Sequence, residues 1–245
     1  MIPESIKAVV EGAGALAAAG LVAGGCAYAA MSPKSRLFGT TLIAPARRGQ
    51  IALTFDDGPN PAWTPQLLDL LARHRVKATF FLIGKYAGDE PYLTRFIADS
   101  GHLIGNHSWS HPNLALTSPK RVKEELKRTK QMLEHITGTP VRFFRPPYGG
   151  RRPDVLNAAL DLGMTPVLWN AMTNDWKDPS ADAIATRLAD RVDALGRRGV
   201  AANIVLHDGA SQEQGANREP SVEAAKLLLE RYIGVRRFVT VDAWV

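Results

Sequence analysis

A single cysteine, Cys26, stands in 245 residues. The chain therefore has no internal disulfide, no cysteine-based metal site and no cysteine-pair redox motif. Internal repeats are absent, and no low-complexity tract occurs beyond the N-terminus. The net charge of +6 comes from 30 Lys and Arg against 24 Asp and Glu. It is spread along the chain, as in Arg47-Arg48, Arg151-Arg152 and Arg236-Arg237, with no long basic block and no interleaved aromatics. That distribution gives nucleic-acid binding little support. It suits an anionic envelope or membrane surface, or simply a solvated face. No nucleophilic serine elbow is present, so nothing calls for a covalent step.

Charge itself is missing from Gly12 to Met31. That length is what a helix needs to cross a bilayer, about 20 residues. The stretch is rich in Ala and Gly rather than Leu. Three readings compete: a cleaved export signal ending near Ala27-Tyr28-Ala29, an uncleaved anchor with Gly20 and Gly24 as a close-packing face, or a soluble Ala-rich helix. Length favours membrane association. Lys34, Arg36, Arg47 and Arg48 follow the stretch while only Lys7 and the amino terminus precede it. The positive-inside tendency then favours a cytoplasmic catalytic domain, against simple export, and orientation stays open. The expected division is a signal or anchor over 1–31, a linker over 32–49 carrying Pro33, Gly39, Pro45 and Gly49, and one catalytic domain over 50–245.

What is present after residue 50 alternates. Apolar runs at 51–56, 78–84, 102–106, 141–145, 164–169, 202–206 and 237–242 read as strands. Between them lie helices near 64–74, 90–100, 119–137, 153–162, 181–193 and 220–232. Thr64 reads as an N-cap with Pro65 as the first helical residue. About seven strand–helix units point to an α/β fold with a parallel sheet, a closed or nearly closed (β/α) barrel. Asp56-Asp57, His107, Arg145, Asn170 and His207 all fall at or just past strand ends, where barrel active sites are built.

The polar motifs carry chemistry. Adjacent carboxylates at Asp56-Asp57 should repel. In a strand they point to opposite sides, so one is able to bind a cation while the other moves protons. His107 and His111 are four residues apart and would face the same way on one helical turn. With one carboxylate they make a two-His, one-carboxylate site with open positions for water and substrate. Arg145 precedes Pro146-Pro147-Tyr148-Gly149, a stiff loop with room for a ligand. Asp175-Trp176 offers a second acid beside an aromatic platform. His207 ends a strand, and a histidine oriented by an acid is a usual general acid. His74, His102 and His135 read as surface or packing residues.

Five motifs in order resemble those of the polysaccharide deacetylases, the carbohydrate esterase family 4 or NodB-homology domain. They are Thr54-Phe55-Asp56-Asp57-Gly58-Pro59, His107-Ser108-Trp109-Ser110-His111, Arg145-Pro146-Pro147-Tyr148-Gly149, Asp175-Trp176 and Leu206-His207. The resemblance implies a distorted barrel and a divalent metal, zinc first, with cobalt or another ion admissible. It implies hydrolytic removal of acetyl groups from a polysaccharide, most often from N-acetylglucosamine in peptidoglycan or chitin-like glycan. Asp57, His107 and His111 then correspond to metal ligands, Asp56 to the base, Arg145 to the residue that positions it, and His207 to the general acid tuned by Asp175. Tyr148, through its backbone N–H, would face the oxyanion, and Pro147, Trp176 and Leu206, with Val205, would line the substrate. A monomer with an acetylated glycan as substrate, at the cell envelope, is expected. Open alternatives are an O-acetyl esterase on xylan-type glycan, an iron oxygenase, and an inactive membrane-anchored glycan-binding domain.

Overall fold

The computed structural model describes residue 20 and residues 24–245. Most of the uncharged stretch 12–31 lies outside the described residues. Among those described, no helix is long and apolar enough to cross a membrane.

Strand β1 (Gln50–Asp56) is apolar along its length and buried from Ile51 onward. Continuous burial is the mark of a strand covered on both faces of a parallel sheet. The chain continues through α1 (Thr64–Arg73), β2 (Thr79–Leu82), α2 (Gly84–Asp89), α3 (Pro91–Asp99), β3 (Leu103–Asn106), α4 (Pro119–Thr137) and β4 (Phe143–Phe144). It closes with α5 (Pro153–Asp161), β5 (Thr165–Pro166), β6 (Ala171–Met172), α6 (Ala181–Arg197), β7 (Ala202–His207), α7 (Glu219–Tyr232) and β8 (Arg237–Phe238). The strands pair in the order β5-β4-β3-β2-β1-β7-β6, with β8 beside β1. Every pair is parallel.

The fold is thus the distorted (β/α) barrel read from the alternation. Alternate residues of β1 divide its two sides. Ile51, Leu53 and Phe55 join the large apolar layer under the helices. Ala52 enters a smaller interior cluster with Phe81, Phe143, Val167, Val241 and Trp244. That cluster plugs one end of the barrel and leaves Thr54 and Asp56 facing inward at the other.

Several boundaries differ from the sequence reading. The helix read at 90–100 forms as α3, but a short helix, α2, precedes it, and Pro91 starts α3 anew after Asp89. Thr64 is not an N-cap; Trp63 takes that place, and the Thr64 hydroxyl instead accepts from Asn60 N–H at 2.8 Å. The runs at 141–145, 164–169 and 237–242 form only two-residue strands. His102 is a packing residue as expected. Its Nδ1 accepts from Ala78 N–H at 3.1 Å, and burial, with Lys77 nearby, pulls the imidazole down to about 4.

The stretch 32–49 does more than link. β5 and β6 do not pair, and residues 42–45 bridge the gap between β5 and β7. Leu42 N–H donates to Pro166 O and Leu168 N–H to Leu42 O, both at 2.8 Å, and Ala201 N–H donates to Pro45 O at 3.0 Å. Upstream, the fully buried Arg151 fastens this segment to the barrel rim. Its guanidinium donates to the carbonyls of Ala30, Ser32, Ser35 and Gly149. Arg151→Ala would leave these carbonyls without their donor. The expected cost is about 2 kcal/mol, read as a lower denaturant midpoint at unchanged slope, with faster proteolysis between residues 30 and 45.

Candidate active site

Asp56 is the last residue of β1 and points inward. Its Oδ1 accepts from Arg145 Nη1 at 2.7 Å, and the same Nη1 donates to Thr54 Oγ1 at 2.7 Å. Arg145 reaches this position because it follows β4 directly. Its guanidinium lies over the Phe81 ring, with Cζ 4.1 Å from the centroid, and Nη2 donates to Asn203 Oδ1 at 3.4 Å. The side chain is wholly buried. One side of the Asp56 carboxylate is therefore fixed by a cation, and Oδ2 faces the open cavity, 3.9 Å from His107 Nε2.

Strand alternation alone would send Asp57 into the helix layer. It does not, because Asp57 has φ 71°. Asp and Asn adopt this left-handed region more readily than other side chains, at a cost of roughly 1–2 kcal/mol. The turn brings both carboxylates to the same cavity, correcting the expectation that they diverge. Asp57 Oδ1 lies 3.3 Å from His107 Nε2 and 3.0 Å from His111 Nε2.

The segment 107–111 is an open loop, not the helical turn expected from the spacing. Ser108 and His111 have φ 64° and 56°, which bend the loop so that both imidazoles converge. The bends are held in place. Ser108 N–H donates to Asn106 Oδ1, and His111 N–H to Ser108 Oγ. Glu125 on α4 accepts from Trp109 N–H, Ser110 N–H and the Ser110 hydroxyl at 2.7–2.9 Å.

The donor set fits a divalent cation. His107 Nδ1 donates to Arg145 O at 2.8 Å, which leaves its Nε2 lone pair toward Asp57. Asp57 Oδ1 is buried, yet no hydrogen bond of acceptable geometry satisfies it. One ligand atom from each of Asp57, His107 and His111 lies within 4.8 Å of the others. Burial alone would raise the Asp57 carboxyl, but the two imidazoles outweigh it and hold it well below its ordinary value. Two nitrogens and one carboxylate oxygen suit a divalent metal.

His207 ends β7, in register with Asp56 on β1. Its Nδ1 is 2.9 Å from Asp175 Oδ1, and its N–H donates to Asp175 Oδ2 at 2.8 Å. Ser221 on α7 donates to the same Oδ2 at 2.7 Å. Burial pulls the imidazole down, but Asp175 first, with Asp57 and Asp56 adding, pushes it up to about 9. At neutral pH it is an imidazolium. Trp176 packs edge-on against it, with centroids 4.9 Å apart.

These groups share one cavity of 390 Å³, lined by Asp56, Asp57, His107, His111 and His207 and walled by Tyr148, Trp169, Trp176 and Val205. Tyr148, at φ 58°, sets its ring against His111. Leu206, expected to line the substrate, does not. It is fully buried in the apolar layer, and Val205, one residue earlier on β7, faces the cavity with His207. Pro147 is buried behind Tyr148 and takes no part in the wall. Asn170 is a brace, with its side chain bonded to Ala201 O and Asn203 N–H.

Sequence reasoning missed Glu125, Thr54, Asn203, Ser221 and Asp208. Only Asp208, next to His207, carried a visible signal. It is fully buried, and the Thr64 hydroxyl donates to its Oδ2. Burial first, and the nearby acids, push its carboxyl up to about 7 despite the Thr64 bond. Here the loops after β1 and β7 meet with no room between them. A Cβ at Gly209 would stand 2.1 Å from Asp57 O, and one at Gly58 would stand 2.5 Å from Asp208 Oδ2.

Comparison with known proteins agrees with this geometry. Residues 44–167 match the family model described as polysaccharide deacetylase. A peptidoglycan-N-acetylglucosamine deacetylase of Bacillus cereus is 37% identical over 81% of this chain and 69% of its own length. A chitooligosaccharide deacetylase of Sinorhizobium fredii is 41% identical over 70% of this chain and 77% of its own. Among solved structures, a peptidoglycan N-acetylglucosamine deacetylase in complex with 4-naphthalen-1-yl-N-oxidanyl-benzamide superposes with a TM-score of 0.75 at 34% identity, covering 83% of this chain and 91% of that one.

Glu125 touches none of the candidate ligands but orders the loop that presents them. Glu125→Ala is expected to weaken binding of a divalent ion about 10–100-fold, measured by chelator competition, with Glu125→Gln recovering part of the loss.

Proposed function

We propose, from the premise that the chain belongs to the polysaccharide deacetylase family, that it hydrolyses the acetamide of N-acetylglucosamine units in peptidoglycan or a chitin-like glycan. What supports this is one cavity in which an arginine-held carboxylate and an acid-held imidazolium stand on either side of a metal triad. Relatives named for both glycans match over 81% and 70% of the chain. An envelope glycan also accords with the uncharged stretch 12–31, which would bring the domain to a membrane.

A divalent ion held by Asp57, His107 and His111 would acidify a water molecule and polarise the acetyl carbonyl. The chain's own groups do the rest. Asp56 takes the water proton through the oxygen that Arg145 leaves free. Arg145 holds the other oxygen and so fixes the carboxylate's orientation. The new C–O bond produces a tetrahedral oxyanion, and the backbone N–H of Tyr148 donates to it. His207 then protonates the glucosamine nitrogen as the C–N bond breaks, and acetate leaves with the hydroxyl oxygen. Trp176 and Val205 enclose the acetyl methyl. An amine leaves poorly unless protonated, so an imidazolium raised to about 9 suits an amide more than an ester.

Asp56→Asn is expected to lower acetate release from chitin oligomers and from peptidoglycan by about 10²–10⁴-fold, while calorimetry shows metal affinity nearly unchanged. Retained turnover would remove Asp56 from the base role. A chelator should abolish wild-type release, and added divalent ion restore it.

The alkaline limb of activity belongs to His207. Its raised value means that the stability from its pair with Asp175 is fully present below 6.5 and lost as pH climbs through about 9, while the acid it supplies to turnover is lost only near that upper value. Asp175→Asn removes the leading upward influence, so the limb should move to lower pH by about one unit or more. A kcat/KM profile that keeps its alkaline limb would assign the limb to another group.

A further inference from the structure

The catalytic cavity does not end at Trp176. Met172 and Lys177 line it and also line a second cavity of 570 Å³. Its size lies within the ordinary range for ligand pockets, about 300–1,000 Å³. Its remaining wall includes Thr173, Asp178, Arg187 and Arg191. Arg187 and Arg191 are four residues apart on α6, so they stand on one face. Lys177 comes from the loop that also carries Asp175 and Trp176.

The wall is cationic beyond what its acid neutralises. Asp178 pairs with Arg187. Lys177 and Arg191 form no salt bridge among the described residues. Thr173 is nine-tenths buried in the same wall, and its hydroxyl has no hydrogen-bond partner. The wall thus combines two cations that form no salt bridge among the described residues with a hydroxyl that has no hydrogen-bond partner. A carboxylate is the complementary acceptor, and the arginine fork matches it in plane.

We propose that this second cavity is a subsite for an anionic substituent of the glycan, a carboxylate above all, carried on a sugar beside the one that loses its acetyl group. The inference rests on the deacetylase reading and narrows its substrate class to acidic glycans. A neutral chain passes through the catalytic cavity alone, while an acidic one gains Lys177, Arg191 and Thr173. Attraction between these exposed cations and the substrate falls with salt.

The test compares a carboxylate-bearing glycan of alternating N-acetylglucosamine and N-acetylmuramic acid with a neutral chitin oligomer of equal length. Arg191 is exposed, so Arg191→Glu should fold. It is expected to raise KM for the acidic glycan roughly fivefold at unchanged kcat, and to leave both constants for the chitin oligomer unchanged. Wild-type KM for the acidic glycan should also rise with salt, and the variant should flatten that rise. An equal effect on both glycans, or no effect on either, overturns the subsite and leaves the deacetylase reading intact. Calorimetry with the non-acetylated forms, which do not turn over, reads the same difference without catalysis. If the wild-type protein releases acetate from neither glycan, the deacetylase reading falls, and the calorimetric difference alone upholds or overturns the subsite.

Discussion

The buried pair between Arg145 and Asp56 is the contact on which the rest of the site depends. Both side chains are shut from water, and their separation is 2.7 Å. Desolvating two charges is expensive, and such a pair persists only where further hydrogen bonds complete it. Thr54, Asn203 and the Phe81 face supply that completion from β1, β7 and β2. The arginine thus ties three strands to the loop after β4. Its own carbonyl fixes the tautomer of His107. One residue therefore sets both the orientation of a candidate base and the lone pair of a candidate ligand.

Strain gathers around that contact. Among the described non-glycine residues with positive φ, Asp57, Ser108, His111 and Tyr148 belong to the loops around the cavity, and only Arg75 lies elsewhere. Left-handed side-chain residues persist where surrounding structure over-determines them. Here Glu125, Asn106 and the Arg151 clasp provide that restraint. The barrel supplies rigidity, and the rim uses it to hold loops in shapes they would not adopt alone.

Much of this was legible in the chain. β1, β3 and β7 announce themselves as apolar runs ending in Asp56, Asn106 and His207. The acids, histidines and arginine of the motifs do meet in one cavity. What escaped did so for identifiable reasons. Spacing gives no φ, so strand geometry sends Asp56 and Asp57 to opposite sides and helix geometry puts His107 and His111 on one turn, and the loops have neither geometry. Strand phase decides between Val205 and Leu206, and a motif does not state phase. Residues 42–45 look like linker because their bonds run to Pro166 and Ala201, more than a hundred positions away. Glu125 sits in a long charged helix where nothing marks it apart from its neighbours.

The seam where Gly58 meets Asp208 and Gly209 meets Asp57 leaves no space for even a methyl group. The turns that follow Asp56 and His207 are therefore interlocked halves, and neither can be lengthened or exchanged without displacing the other. Diversification of this scaffold, whether by descent or by loop grafting, is channelled away from that seam. It falls instead to wall residues such as Lys177 and Arg191, which bond to neither Asp56 nor His207, and there a new substrate preference is free to arise.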